Sequence, residues 1–316
     1  MKKTISIILV LMLVLSLSVT AFADTEPTDM TTVTVTKSYK LEGAGSSPAE
    51  TFTLQQVGDG VVASGDAKSA PALGTITGAQ FAAGAATADG TEGKITIALP
   101  TYELVGIYEY TLKEVAGTNA GVTYYGKEIL LRVTVINDKE GKIRVAAVHT
   151  EAKDEAKSDT FENTYSAGSL SVSKTVTGNL GDKTKYFKFT VTLTGDGKST
   201  YAETFAVTGG SNKDNPATAK LGENVFWLKD GETITIANLP YGVTYTVVED
   251  TPADYTLKEK TGDEGTISNA AATAAFTNDK STEVDTGISL DSIPYIALFV
   301  VAVLGMGIVL GKKRFN

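Results

Sequence analysis

The sequence has no cysteine and only one histidine among its 316 residues. Without cysteine the chain can form no disulfide, and it has no thiol nucleophile or thiolate metal ligand. The sequence contains no GxSxG motif or other catalytic-triad pattern in which the single histidine, His149, could take part, which argues against an exported hydrolase. The same shortage of ligands predicts no zinc site, and no acidic run has EF-hand spacing. We therefore expect no metal, no other cofactor and no conventional enzyme.

Positive charge is also scarce. Lys and Arg number 28 against 37 Asp and Glu, the net charge is −9, and no basic patch appears away from the chain ends. Nucleic acid is therefore not an expected partner. Long amphipathic helices are absent as well, and runs rich in Val, Thr, Ile, Tyr and Phe alternate with turn clusters such as VGDG at 57–60. This pattern predicts an all-β protein, with the Ala- and Gly-rich stretch 78–90 left open as a surface loop or one short helix.

The two ends of the chain carry patterns of export and anchoring. Residues 1–23 combine two lysines, an apolar run and Ala-Phe-Ala, which predicts a secretory signal peptide cleaved between Ala23 and Asp24. Residues 293–310 are almost entirely apolar, and a span of roughly 17–25 residues can cross a bilayer. The basic residues that follow should stay cytoplasmic. The segment between these ends is expected outside the cell, where a protein without cysteine needs a stabilising link other than a disulfide.

An internal repeat divides that segment in two. KITIALP at 94–100 returns as TITIANLP at 233–240, and each copy is followed by an alternating strand that contains tyrosine. The two halves also open alike, with VTVTKSYKLEG and LSVSKTVTG, and close alike, with TFENT and AFTND. We predict two tandem β-sandwich domains, residues 30–165 and residues 168–280.

Each predicted domain places a lysine on the strand face that should be buried. In TVTVTKSYK, residues 32–40, strict alternation puts Lys37 on the same face as Val33 and Val35. The same test aims one lysine, one glutamate and one asparagine into the core of each half. These residues are Lys37, Glu114 and Asn163 in the first domain and Lys174, Glu249 and Asn278 in the second. A lone buried charge is costly, so each lysine needs a partner or a shifted pKa.

Two interpretations of these trios remain open. One is a buried Lys–Glu ion pair beside a hydrogen-bonded asparagine, although such pairs stabilise weakly compared with apolar residues of similar volume. The other is a covalent cross-link. A buried lysine can become a neutral amine that attacks the asparagine carboxamide, while the glutamate polarises the carbonyl and passes protons. Expulsion of ammonia would leave a neutral amide, and the occurrence of the same trio twice favours this second interpretation.

With these residues in place, the chain resembles the sortase-assembled backbone (major) pilins of Gram-positive bacteria, in particular the two-domain streptococcal type with Lys–Asn isopeptide bonds. The resemblance implies tandem Ig-like β-sandwich domains of the CnaB type. It also implies that the lysine of the first strand joins the asparagine of the last, with a glutamate as catalyst and no external enzyme. The matching positions are Lys37, Asn163 and catalytic Glu114, and Lys174, Asn278 and catalytic Glu249.

The resemblance also gives a meaning to the C-terminal segment 283–316. In that family a pentapeptide, an apolar span and a basic tail form a cell-wall sorting signal. The pentapeptide here is Glu283, Val284, Asp285, Thr286 and Gly287, with aspartate where the family usually has proline. The resemblance implies that a sortase cuts between Thr286 and Gly287 and joins Thr286 to an amine of the next subunit or of peptidoglycan. The alternative is a plain C-terminal membrane anchor.

A pilin that polymerises must also offer a surface lysine. In the related pilins it lies just before the last strand of the first domain, where this chain has Lys157 and Lys153, and either could equally be an ordinary solvated lysine. The predicted function is a pilus shaft subunit at the cell surface or cell wall. Its implied partners are sortase, identical subunits in a head-to-tail polymer and peptidoglycan, with minor pilins and host surface ligands left open. The alternative is a wall-anchored adhesin or ancillary pilin of the same fold.

Overall fold

The structure is a computed structural model that describes residues 29–153, residues 156–282 and residue 299. Within 29–282 every regular element that it describes is a β-strand, which confirms the predicted all-β class. Among the described residues, no helix is long and apolar enough to cross a bilayer. The predicted signal peptide, 1–23, and the sorting pentapeptide, 283–287, lie outside the described residues, as does the predicted span 293–310 apart from Phe299.

The described residues form two compact units, of which the first contains residues 29–42 and 46–165. Its strands are β1 (Thr32–Gly43), β2 (Glu50–Phe52), β3 (Leu54–Gln56), β4 (Val61–Gly65), β5 (Ile76–Thr77), β6 (Ala79–Phe81), β7 (Thr91–Ala98), β8 (Gly106–Glu114), β9 (Val122–Thr123), β10 (Glu128–Asn137), β11 (Ile143–Ala152) and the first part of β12 (Thr160–Thr177). One sheet contains β12, β1, β7 and β5, and the other has the order β11-β10-β8-β3, with β4 also paired to β8. The first unit is therefore built mainly from two β-sheets, and β2 and β6 form a further two-stranded sheet.

The core of the first unit lies between the two larger sheets. In β8 the alternate residues Tyr108, Tyr110 and Leu112 are buried, and the intervening residues are at least partly exposed. In β1, Val35 and Tyr39 are buried on the same face. This period of two is the one read from the sequence, because successive side chains of a strand point to opposite faces of the sheet. The stretch 78–90, left open as a loop or a helix, contains the short strand β6 and turns instead.

The second unit contains residues 43–45 and 166–282. Its strands are the remainder of β12, β13 (Phe187–Thr194), β14 (Phe205–Gly209), β15 (Thr218–Ala219), β16 (Gly222–Leu228), β17 (Thr233–Pro240), β18 (Thr244–Asp250), β19 (Thr256–Thr261), β20 (Glu264–Thr266) and β21 (Ala271–Asp279). One sheet joins β15, β14, β17, β12, β21 and β19, and the other has the order β16-β13-β18-β20. The first and last strands of this unit, β12 and β21, are direct parallel neighbours.

Apolar side chains from both sheets of the second unit form one cluster. It includes Leu170 and Val172 of β12, Phe189 of β13 and Phe276 of β21, each at most 2% exposed. The rings of Phe189 and Phe276 meet edge to face with their centroids 5.3 Å apart. This apolar filling surrounds the polar residues that the alternation also directs inward, so those residues are held where water does not reach them.

Candidate functional site: two buried Lys–Glu–Asn trios

The first trio is assembled from three strands of the first unit. Lys37 lies in β1 opposite Gly93 of β7, Glu114 ends β8 opposite Leu54 of β3, and Asn163 lies in β12. Lys37 is 1% exposed, Glu114 4% and Asn163 1%, which confirms that all three side chains are buried. Because β8 belongs to one sheet and the other two strands to the opposite sheet, the glutamate reaches across the core.

The carboxylate of Glu114 holds the other two members of the trio, one on each oxygen. Lys37 Nζ lies 2.5 Å from Glu114 Oε2. Asn163 Nδ2 donates a hydrogen bond of 2.6 Å to Glu114 Oε1. The main-chain N–H of Tyr125 lies 3.0 Å from both Glu114 Oε1 and Asn163 Oδ1, so it donates to the pair. The amine and the carboxamide are thereby brought to one carboxylate, with a backbone donor beside the carboxamide.

The second trio brings the same three residue types together, but both partners meet one carboxylate oxygen. Lys174 lies in β12 beside Phe276 of β21, Asn278 lies further along β21 beside Val176, and Glu249 reaches in from β18 of the other sheet. The Lys174 and Glu249 side chains are 0% and 1% exposed, and Asn278 is 0% exposed. Glu249 Oε1 receives both partners: Lys174 Nζ lies 2.9 Å away and Asn278 Nδ2 donates at 2.8 Å.

Aromatic rings close the apolar side of each site. Lys174 Nζ lies 4.4 Å from the ring centroid of Phe187. Lys37 Nζ lies 5.3 Å from the ring centroid of Tyr125 and 5.6 Å from that of Phe52. Ring faces attract an ammonium group but also exclude water from it. The lysines are therefore held in an environment that is poor in solvent.

Burial controls the ionisation of both lysines. It lowers the pKa of Lys37 below the usual 10.5, and the charge of Glu114 opposes this shift only in part. Burial likewise lowers the pKa of Lys174, with Glu249 opposing. Removal from water disfavours the charged form of an amine, so each lysine has a larger neutral fraction than an exposed lysine at the same pH. A neutral amine carries the lone pair needed for nucleophilic attack.

The structure adds two contacts that the sequence did not indicate. The sequence predicts that the glutamate polarises the asparagine carbonyl, whereas in both sites the carboxylate contacts the amide nitrogen. The carbonyl oxygen of Asn163 faces the backbone N–H of Tyr125 instead. Every residue except proline has a main-chain N–H, so no sequence pattern could have indicated this donor. The contact between the Phe187 ring and Lys174 Nζ is the second one that the sequence did not indicate. The sequence FKF at 187–189 alternates as a strand does, but this does not show which residue Phe187 contacts.

The candidate linking lysines lie elsewhere in the first unit. Lys157 is exposed and forms an isolated antiparallel bridge with Glu151. Lys153 is also exposed, but its Nζ lies 2.8 Å from Glu128 Oε2 in an ion pair that lowers the pKa of Glu128. His149 is on β11, where burial lowers its pKa and the charge of nearby Lys157 lowers it further.

Comparison with known proteins gives a consistent set of similarities. Residues 33–166 match the family model described as a Spy0128-like isopeptide containing domain, and residues 168–280 match a domain of unknown function, DUF7601. A curated pilin of Streptococcus pyogenes serotype M1 is 32% identical over 236 residues, which is 68% of this chain and 69% of that protein. The pilus tip adhesin Cpa of Streptococcus pyogenes is 32% identical over 128 residues, 39% of this chain but 18% of the adhesin.

A solved structure supports the same fold. The crystal structure of the major pilin from Streptococcus pyogenes superposes with a TM-score of 0.51 at 23% identity, covering 81% of this chain and 100% of that one. The likeness confirms two tandem sandwich domains of the Ig-like type predicted from the sequence.

Proposed function

Because this chain belongs to the family of the Streptococcus pyogenes pilin, we infer that it is a structural shaft subunit of a cell-surface pilus. The observation that carries the proposal furthest is the duplicated trio of buried lysine, glutamate and asparagine, each closed around one carboxylate. We assign to each trio the formation of an intramolecular isopeptide bond. The catalysts would be Glu114 in the first unit and Glu249 in the second, acting within their own chain.

The reaction needs no external reagent. The neutral amine of the lysine attacks the carboxamide carbon of the asparagine, and a new C–N bond forms. The carboxylate carries a proton from the attacking lysine nitrogen to the asparagine Nδ2, and the old C–N bond breaks with loss of ammonia. Proximity replaces an enzyme site, since well-oriented groups in one molecule can reach effective concentrations of roughly 10⁵–10⁸ M. The product is neutral, so the cost of the buried charge is removed.

The placement of the second cross-link suits a protein under tension. Lys174 and Asn278 lie on the first and last strands of the unit, which are direct parallel neighbours. An amide between them would carry a pulling force from β12 directly into β21. The roughly 100 residues between the two positions would then bear none of the load. A shaft whose subunits are joined end to end benefits from such a bond.

Polymerisation is the second part of the proposal. The sorting pentapeptide would supply Thr286 as the acyl donor to a sortase, and a lysine of the next subunit would be the acceptor. Lys157 is the better acceptor of the two candidates, because Lys153 Nζ is engaged by Glu128 and would have to leave that ion pair to reach the sortase. Among the described residues no ion pair is found for Lys157. Transfer of Thr286 to peptidoglycan would anchor the finished fibre to the cell wall.

An adhesin or ancillary pilin of the same fold is the weaker alternative. The match to the tip adhesin covers 39% of this chain and 18% of the adhesin, whereas the match to the curated pilin covers more than two thirds of both proteins. A tip adhesin also has no need of a linking lysine. Loss of polymer upon substitution of Lys157 would favour the shaft, and a wild-type chain that forms no polymer with its sortase would favour the alternative.

The deciding experiment is an intact-mass measurement on purified residues 24–286. We expect the mass to fall short of the sequence mass by two molecules of ammonia. The matched controls are Asn163→Ala and Asn278→Ala, each of which should retain one deficit. A wild-type mass equal to the sequence mass would reduce both trios to buried ion pairs and would remove the chemical basis of the proposal.

A further inference from the structure

The two sites differ at the carbonyl oxygen of the asparagine. In the first unit, Asn163 Oδ1 accepts a hydrogen bond of 3.0 Å from the main-chain N–H of Tyr125. A backbone N–H can only donate, so the atom that faces it must be the carbonyl oxygen of the amide and not its nitrogen. The same N–H lies 3.0 Å from Glu114 Oε1, which receives the amide nitrogen at 2.6 Å. The orientation of the carboxamide is thereby fixed.

The second unit has no counterpart to this donor among the described residues. Asn278 Nδ2 donates to Glu249 Oε1 at 2.8 Å, as in the first site. Asn278 Oδ1, however, is fully buried, and no hydrogen-bond partner is found for it within the described part of the chain. In both sites a glutamate carboxylate therefore accepts from the carboxamide nitrogen of the asparagine. The carboxamide oxygen accepts a main-chain hydrogen bond only in the first site.

We propose that the main-chain N–H of Tyr125 is an oxyanion donor for isopeptide formation in the first unit, and that the first amide consequently forms faster than the second. The inference rests on the proposed function. As Lys37 Nζ bonds to the carboxamide carbon of Asn163, the π electrons of the carbonyl move onto Oδ1, where the Tyr125 N–H already points. Glu114 transfers a proton from the attacking nitrogen to Nδ2. The C–Nδ2 bond then breaks, ammonia leaves with its electron pair, and the carbonyl re-forms.

The expected size of the effect follows from oxyanion sites in general. A donor that is fixed in place before the reaction spends no energy on reorganisation when negative charge develops. Removal of one such donor typically slows an acyl-transfer reaction by about 10²–10³-fold. We therefore expect loss of the Tyr125 N–H to slow the first amide by about 100-fold and to leave the second unchanged.

The test removes the N–H without altering the side chain. The full chain is made by cell-free translation, with the α-hydroxy analogue of tyrosine inserted at position 125, so that an ester oxygen replaces the amide N–H. Samples are quenched in acid at intervals, and peptide mass mapping follows ammonia loss at Asn163 and Asn278 separately. The Asn278 site is an internal clock, and the same ester placed at Tyr124 is the matched control.

A second variant separates the backbone from the side chain. Tyr125→Ala keeps the N–H but loses the ring that lies 5.3 Å from Lys37 Nζ and packs on Phe161 with centroids 5.1 Å apart. The proposal expects the ester at 125 to slow ammonia loss at Asn163 about 100-fold, and by more than Tyr125→Ala does, because the ring only shields Lys37 from water. If the side-chain variant is the slower of the two, the ring and not the N–H supports the reaction, and the proposal is wrong.

The remaining outcomes are also decisive. Equal rates at Asn163 for the ester and the normal chain would overturn the oxyanion role, while two ammonia losses in wild type would leave the proposed function intact. Absence of ammonia loss at either wild-type site would instead remove the proposed function itself. If the ester prevents folding, as limited proteolysis would reveal, the wild-type chain decides: a rate at Asn278 equal to or above that at Asn163 contradicts the proposal.

Discussion

Replacing Asn278 with alanine should remove the second cross-link and leave its two other participants in place. The substitution deletes the carboxamide that the lysine would attack, while Lys174 and Glu249 keep their contact of 2.9 Å. The buried charge therefore remains paired, and the unit can still fold. The stability that disappears is then mainly the contribution of the covalent link.

The magnitude can be worked out from the chain positions that the link joins. The loop between residues 174 and 278 contains roughly 100 residues, and closing such a loop in the unfolded chain is worth about 4.7 kcal/mol at 25 °C in the cross-link entropy model. A domain of this size unfolds with an entropy of about 240 cal/mol/K, from roughly 2.1 cal/mol/K per residue. The midpoint of thermal unfolding of the second unit should therefore fall by about 20 °C in Asn278→Ala.

The loss of the asparagine side chain itself must be separated from the loss of the link. In the chain that has not reacted, Asn278 Nδ2 donates a hydrogen bond to Glu249, and a bond to a charged group is worth about 1.5–3 kcal/mol net. In a Glu249→Gln background, which we expect to lack the link already, the same alanine substitution measures only this truncation. The double-mutant cycle then gives the contribution of the cross-link.

Calorimetry combined with intact-mass analysis is the direct assay, and the transition of the first unit is the internal reference. Single-molecule pulling gives an independent readout, because the wild-type second unit should not extend, whereas the variant should lengthen by about 300–350 Å at roughly 3.4 Å per released residue. A variant that has lost its mass deficit but melts within about 5 °C of wild type would refute the reasoning. So would a wild-type second unit that extends to the same length as the variant.

Three further outcomes are expected. Glu249→Gln keeps the size of the side chain but cannot carry a proton as a carboxylate does, so it should show one ammonia deficit instead of two by intact mass, and a chain that still lost two would contradict the role of the carboxylate. In Asn163→Ala, burial holds the pKa of Lys37 below 10.5, so the unfolded state binds more protons between the folded pKa and 10.5. The free energy of unfolding should therefore rise with pH in that range. Urea titrations should show this rise relative to the same variant with Lys37→Met, and a difference in unfolding free energy that is constant or falls with pH would contradict it. With the partner sortase, Lys157→Ala should abolish the ladder of polymers on a denaturing gel while Lys153→Ala keeps it, and the opposite pattern would identify Lys153 as the acceptor.

The alternation of single strands proved informative because burial in a sandwich is decided residue by residue. Lys37 follows Val33 and Val35 at intervals of two, and a strand cannot turn one side chain outward without turning its neighbours too. The same rule predicts that Glu114 points inward, because it follows Tyr110 and Leu112 at intervals of two. The pattern does not show which residues meet across the core, however. The repetition of the same order in the second half indicated that the three residues belong together, but not which atoms meet.

Other features depended on tertiary contacts. The stretch 78–90 has a composition suited to a loop or a helix, yet it contributes β6, which pairs antiparallel with β2. Lys153 and Lys157 are alike in sequence, and only the position of Glu128 on a neighbouring strand distinguishes them. The side on which the carboxylate meets each asparagine also depends on the geometry across two sheets.

The all-β class and the inward direction of six polar side chains could be predicted from the sequence, because both follow from the local period of a strand. The two-fold repeat could be predicted from motifs that recur in the same order in both halves. The tertiary structure alone decided that the lysine, glutamate and asparagine of each half converge on one carboxylate, since strands that are distant in sequence must pair before those side chains can meet. It alone also placed the Tyr125 N–H beside Asn163 Oδ1 and left Asn278 Oδ1 without a partner among the described residues. A main-chain N–H is common to every residue but proline, so its role depends on position and not on residue type.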